Sequence, residues 1–228
     1  IAGVWKGPVV LRGGFNLDRV NSTATGDHSL PAGFAEVTFS RGILHGHGGC
    51  RFQQGNPQVT ARINLSGQVP VEGMEVHGSV FTDHRSPTLN DLYWPYDGTT
   101  SGNPNLENER STGAEAGAAW SSGGNRAEAT SFVTATEDLI IWLPDQNGIW
   151  TPSNLSRSLS RGIEISAAME LPRGSLEGNF TWNIAEDRTE NTPRYGMLIP
   201  YRPEYTWSIT LGMPLYSSLL RAEASLLG

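Results

Sequence analysis

The feature that most constrains this chain is a period-two alternation of apolar and polar residues, sustained over long segments. In residues 59–71 the apolar set is Val59, Ala61, Ile63, Leu65, Gly67, Val69 and Val71, facing away from Thr60, Arg62, Asn64, Ser66, Gln68 and Pro70. Residues 163–171, 176–184 and 205–213 repeat the pattern. Successive side chains of a strand point to opposite faces, so this spacing means strands with one apolar face. No long segment carries apolar residues at helical spacing. The chain is expected to be all-β, with eleven strands at residues 3–18, 34–41, 43–53, 58–69, 74–84, 111–121, 125–142, 155–171, 174–187, 201–213 and 217–228.

Several of these strands span 11 or more residues. Soluble strands run to about 5–6 residues, and strands that cross a membrane need about 9–11. On the four apolar faces named above there is no charged side chain. Arg12, Glu36, Arg62, Glu75, Asp83, Glu115, Glu128, Glu164, Glu177 and Glu223 all fall on the other face. A sandwich would also keep its inner face free of charge, but strand length and the small residues Ala114, Ala116, Ala118, Ala127 and Ala129 favour a barrel wall. Connections near 41–43, 70–73, 122–124, 172–173 and 214–216 are short, those at 19–33, 85–110, 143–154 and 188–200 are long, and 54–57 breaks the alternation. Short turns on one rim and long loops on the other describe an outer-membrane barrel. Trp120, Trp142, Trp150, Tyr201, Tyr205, Trp207 and Tyr216 near strand ends suggest two aromatic girdles.

Composition removes other classes. With 37 % hydrophobic residues and 27 glycines the chain is too apolar for disorder, and a net charge of −7 excludes a nucleic-acid partner. One cysteine allows no internal disulfide. No apolar run is long enough for a transmembrane helix. The chain opens at Ile1 without a signal peptide, as a mature protein or as part of a longer one.

Loop 85–110 reads Arg85-Ser-Pro-Thr-Leu-Asn-Asp-Leu-Tyr-Trp-Pro95 and then Gly102-Asn-Pro-Asn-Leu-Glu-Asn-Glu-Arg110. It resembles the late-barrel signature of TonB-dependent outer-membrane receptors, in which R-A-P-T-L-N-E-L-Y precedes G-N-P-x-L-x-P-E. Ser160-Arg161-Gly162-Ile163-Glu164 resembles a further family segment that opens a strand with S-R-G-V-E. The Leu92-Tyr93-Trp94-Pro95 variant is most similar to the vitamin B12 (cobalamin) receptor branch. Asn108 stands in place of Pro, Ser86 in place of Ala, and His84 where Phe is common. The resemblance implies an antiparallel transmembrane β-barrel of about 22 strands, plugged by a globular domain, that takes up a scarce nutrient with energy from TonB. Residues 1–228 would be its middle-to-late part, an incomplete barrel lacking the plug, the TonB-contacting segment and the terminal aromatic strand. Eleven strands left open would expose two edges of unsatisfied backbone in hydrocarbon. The remaining strands are therefore expected from elsewhere in the polypeptide or from a second chain, with outer-membrane lipid and other outer-membrane subunits as further partners.

Tyr93, Trp94, Tyr96 and Asp97 are the leading substrate-contact candidates, since aromatics beside a carboxylate suit a large, partly apolar ligand. The alternative is that Pro87 to Pro95 is loop scaffold. Trp150, Asn154 and Tyr195, on other long loops, complete the set. His45 and His47 share a face that Cys50 does not, so no metal site is expected. A tight turn at Arg41-Gly42 would put Glu36 opposite His47, in position for an ion pair, and Thr38 opposite His45. No catalytic motif, phosphate-binding loop or cofactor fingerprint is present, and the sequons at Asn64 and Asn179 fall inside strands. Three readings remain: a fragment of an active-transport receptor for cobalamin or a siderophore-type ligand, a passive porin or structural barrel component, and a soluble all-β binding module.

Overall fold

A computed structural model describes residues 2–5, 9–22, 26–53, 58–216 and 220–227. They form a single antiparallel sheet of twelve strands in which every strand pairs with its neighbours in sequence. The strands are β1 (Ala2–Trp5), β2 (Val9–Ser22), β3 (Gly26–Arg41), β4 (Leu44–Gln53), β5 (Gln58–Gln68), β6 (Met74–Arg85), β7 (Glu109–Ser122), β8 (Asn125–Pro144), β9 (Trp150–Leu171), β10 (Gly174–Asp187), β11 (Tyr205–Tyr216) and β12 (Leu220–Leu227). A short helix, α1 (Leu89–Tyr93), lies between β6 and β7. Among the described residues the sheet is open, with β1 paired only to β2 and β12 only to β11.

Four expectations need correction. The first expected strand is two, because Ala2–Trp5 pairs antiparallel with Leu11–Gly14. The expected loop at 19–33 is largely ladder, since β2 and β3 stay paired out to Ser22 and Gly26. The expected loop at 143–154 likewise narrows to a reversal between Pro144 and Trp150, closed by hydrogen bonds from Asp145 N to Ile149 O and from Gly148 N to Asp145 O. A ladder continues wherever backbone groups can pair, whereas the apolar alternation persists only while one face is buried. The β3–β4 turn is centred on Gly42-Ile43, so Thr38 faces His47 and Ser40 faces His45. Glu36 instead sits opposite Arg12 and Gly49. His45 Nδ1 lies 3.0 Å from Ser40 Oγ, and Asn64 Nδ2 lies 3.5 Å from His47 Nδ1. The connection at 54–57 and the side chains of Tyr216 and Glu223 lie outside the described residues.

The turns follow from local chemistry. Gly123 and Gly124 have φ of 56° and 83°, and a two-residue hairpin that matches the sheet twist needs positive φ at both central residues.

The two faces differ as the alternation requires. Phe15, Ile63, Val80, Ile165, Trp207 and Ile209 are all exposed on one face, Phe15 by 61 %. Among the described residues there is one sheet, whereas a sandwich packs two face to face. On this face Phe180, Trp182, Tyr205 and Trp207 gather at the long-loop end of β10 and β11, and Trp120 lies at the opposite end of β7. Trp142 and Trp150 stand at the loop ends of β8 and β9, where Trp142 bonds Asp91 and Trp150 lies against Tyr201, and Tyr201 itself lies in the loop before β11. The opposite face is polar. Arg62 and Ser79 Oγ reach Glu115 Oε2 at 3.4 and 2.9 Å, and His77 Nε2 lies 3.1 Å from Thr130 Oγ1.

Large rings on this polar face lie against glycines. Phe81 sits across from Gly113, and Phe132 across from Gly162. A Cβ at Gly162 would overlap the Trp182 carbonyl oxygen and come within 2.8 Å of the Phe132 ring, whereas one at Gly178 would sit 3.7 Å from its nearest atom. Overpacking of this kind costs about 1–3 kcal/mol. Gly162→Val is expected to destabilise the complete barrel by about that amount, while Gly178→Ala changes it by less than about 0.5 kcal/mol. Urea unfolding from lipid vesicles, followed by tryptophan fluorescence, checks the contrast.

Candidate ligand-contact loops

Three connections leave the same rim of the sheet: long ones between β6 and β7 and between β10 and β11, and the tight hairpin turn between β8 and β9. The first is closed at its base by Arg85 and Glu109. Arg85 Nε and Nη2 donate to the two carboxylate oxygens at 2.7 and 2.5 Å, and Glu109 Oε1 also accepts from Ile140 N at 2.7 Å. A bidentate guanidinium–carboxylate pair fixes both position and orientation.

Thr88 then starts α1. Its hydroxyl oxygen accepts from Asp91 N at 3.1 Å, while Asp91 Oδ2 accepts from Thr88 N at 2.9 Å, a reciprocal capping box. Asp91 is buried, and its other oxygen accepts from Trp142 Nε1 at 2.9 Å, tying the helix to β8. Burial pushes the Asp91 carboxyl up, but the Thr88 backbone and hydroxyl donors, the Trp142 indole and the charge of Arg85 bring it below the ordinary value. It is ionised at neutral pH and holds the loop in that state.

Asp97 builds the next turn. Its Oδ1 accepts from Thr99 N, Thr99 Oγ1 and Thr100 N at 2.9, 2.9 and 2.8 Å, and its Oδ2 from Trp94 Nε1 at 3.3 Å. The Thr99 backbone donor is foremost in lowering its pKa to about 2. Trp150 then joins this loop to the β8–β9 hairpin: its N donates to Thr99 O at 2.8 Å and its O accepts from Ser101 N at 3.0 Å. Its ring lies 5.8 Å from that of Tyr201, tilted by 51°. In the hairpin itself Asp145 accepts from Ile149 N and Asn147 N at 2.9 and 2.8 Å, and those donors lower its pKa.

The structure thus joins Trp94, Asp97 and Trp150 through one hydrogen-bonded segment, with Tyr93 and Tyr96 exposed on the same loop. Asn154 is engaged otherwise. Its amide nitrogen donates to Glu107 O and Asp138 O at 3.1 and 2.6 Å, and its oxygen accepts from Glu107 N at 2.9 Å. Tyr195 keeps to its own loop, with the Arg188 guanidinium 5.4 Å from its ring centroid. Tyr201 escapes the sequence reading as a loop residue, although Pro200 and Pro203 around it mark a break before β11. With φ of 61° it presents the most exposed ring of the crown, at 78 %. The Thr88-Leu-Asn-Asp91 spacing of the cap was also legible. Among the described residues no three His, Cys, Asp or Glu side chains form a metal-binding group. Flat exposed rings over fixed backbone suit contact with a large ligand that has apolar faces.

A family described as TonB dependent receptor-like, beta-barrel, matches residues 5–222. The vitamin B12 transporter BtuB of Vibrio vulnificus is 29 % identical over 187 residues, covering 79 % of this chain and 29 % of the relative. The vitamin B12 transporter BtuB of Photobacterium profundum is 33 % identical over 98 residues, 41 % of this chain and 16 % of the relative. The siderophore receptor PirA from Pseudomonas aeruginosa has a similar fold, with a TM-score of 0.69 at 19 % identity over 96 % of this chain and 42 % of that one. The copper transporter OprC gives a TM-score of 0.72 at 12 % identity over 93 % of this chain and 39 % of that one. The chain therefore spans less than a third of the length of these curated relatives. With the family pattern running from residue 5 to 222 and the same barrel wall recovered in solved structures, the chain belongs to the TonB-dependent receptor β-barrel family.

Proposed function

We propose that the chain supplies part of the barrel wall and the ligand-contact loops of an outer-membrane receptor that takes up a scarce nutrient. The reading rests above all on one observation: exposed rings at Tyr93, Trp94, Tyr96 and Tyr201 carried on loops whose backbone is pinned to the barrel rim. Cobalamin is the proposed ligand, with siderophore-type ligands as the neighbouring class, because both curated relatives are vitamin B12 transporters. The function is transport and not catalysis. Release inward would need a plug domain coupled to TonB, and a membrane setting needs further strands beside β1 and β12 to close the wall, from the same polypeptide or a second chain. Asp97 acts in this reading by holding Trp94, and Asn154 by holding the loop. Trp150 serves as the platform for Tyr201.

Equilibrium binding of cyanocobalamin to the complete receptor in vesicles tests the ligand. Replacing Tyr96 and Tyr201 together by alanine is expected to raise Kd about tenfold or more, as loss of central aromatic contacts does. Saturable binding of a ferric siderophore without cyanocobalamin binding would reassign the ligand, and binding of neither would overturn the uptake reading.

The crown also carries a pH dependence. The folded Asp91 and Asp97 carboxyls lie below their ordinary value of 3.8, Asp97 at about 2. Their contribution to loop order is therefore complete above about pH 4 and is lost as pH falls through the folded values. Limited proteolysis is expected to leave residues 86–103 intact from neutral pH to about pH 4 and to cleave there as pH approaches about 2. Asp91→Asn, which keeps the shape but weakens acceptance from three donors, is expected to be cleaved already at neutral pH.

A further inference from the structure

The segments that carry or hold the exposed rings are charged on one side only. Residues 86–108 contain three carboxylates, Asp91, Asp97 and Glu107, and the upper arms of the β8–β9 hairpin, residues 138–156, contain two, Asp138 and Asp145. Neither segment contains a lysine, an arginine or a histidine. In residues 186–204 four carboxylates stand against three guanidiniums. Two of those guanidiniums are taken, Arg188 by Glu186 at 2.6 Å and Arg194 by Asp187 at 3.2 Å. At the rim below, Arg157 is shared between Glu137 and Glu190 at 3.4 and 4.0 Å. Arg202 remains, with exposed Glu204 two residues away.

The carboxylates are ionised and lie around the rings. Asp97, Glu107, Asp145, Glu190 and Glu204 are all exposed. Asp97 follows Tyr96 in the chain and accepts from the Trp94 indole, and Glu204 stands three residues beyond Tyr201. Asp97, at about 2, and Asp145, below its ordinary value, carry full charge at neutral pH. Burial, and then the charges of Glu107 and Glu137, push the Asp138 carboxyl up, so the potential there is negative despite the guanidiniums nearby. Charges of one sign around a contact surface repel ligands of that sign, and selection by repulsion requires no bond to the ligand.

We propose that the crown selects its ligand by charge: it admits large ligands that have apolar faces and no net negative charge, and its carboxylates hold off anionic ligands of the same shape. The proposal rests on the reading of the crown as the ligand-contact surface. It goes beyond that reading by separating the two ligand classes left there, because a ferric siderophore built on catecholates is multiply anionic and cobalamin is not.

Equilibrium binding to the complete receptor in phosphatidylcholine vesicles tests it with two probes of one shape. One is cyanocobalamin, and the other is its derivative with the three propionamide side chains hydrolysed to carboxylates. At low ionic strength the tricarboxylate is expected to bind about tenfold or more weakly. The gap is expected to shrink at about 1 M salt, where the Debye length falls to about 3 Å. Replacing Glu107, Glu190 and Glu204 together by glutamine, at side chains that do not hold the loop frame, is expected to shrink the gap at low salt and leave cyanocobalamin binding unchanged. Equal binding of the two probes by the parent receptor, or a gap that either salt or the triple variant leaves unchanged, overturns the charge proposal and leaves the ligand-contact reading standing. A receptor that binds no cyanocobalamin overturns the cobalamin assignment and the charge proposal together.

Discussion

The constraint on which the rest depends is that backbone N–H and C=O groups in hydrocarbon must pair with one another. Each unpaired group costs several kcal/mol there, with no water to compensate. The sheet meets this with antiparallel ladders joining every strand from β1 to β12 to its sequence neighbour. That order is also the cheapest to form, since every pairing closes a short connection. The same constraint makes the sheet incomplete by itself, because β1 and β12 each have one side without a neighbour among the described residues.

Once the ladder is fixed, parity assigns every side chain. This explains why the sequence reading could misplace a turn and still recover the faces. Moving the β3–β4 turn from Arg41-Gly42 to Gly42-Ile43 shifts the register by two residues. Glu36 loses His47 as a partner, but His45, His47 and Glu36 stay on the polar face and Cys50 on the other. A slip of one residue would have inverted all of them. Partners are thus far more sensitive to turn geometry than faces are, and an ion pair inferred across a hairpin is only as good as the turn beneath it.

The strands were legible where they cross the proposed hydrocarbon band, since only there does selection for one apolar face leave a period of two. Beyond it the ladder continues in polar sequence, as in residues 19–22 and 26–33 and at the upper ends of β8 and β9, and alternation no longer reports it. In the loops, the family-like motif located the crown but not the division of labour within it. Asp97 and Asn154 proved to hold backbone, and Tyr201 joined Trp150, because such roles depend on contacts between loops far apart in sequence.

That division has a physical reason. The apolar cluster near the rim is small, built of Leu139, Ala185 and Ile199 with Ile141 and Leu155 beside it. It is too small to order three loops by burial. Order comes instead from acceptors with fixed donors: Glu109 under the first loop, Asp91 between helix and β8, Asn154 between the first two connections, and Asp187 holding Thr189 N at 2.8 Å and Arg194 Nε at 3.2 Å in the third. A loop ordered through its backbone does not need its large side chains inside. The rings are therefore left facing outward over a fixed frame, which lowers the entropy cost of engaging them. Because frame and rings are different residues, the rings can change with the ligand while the frame keeps its shape.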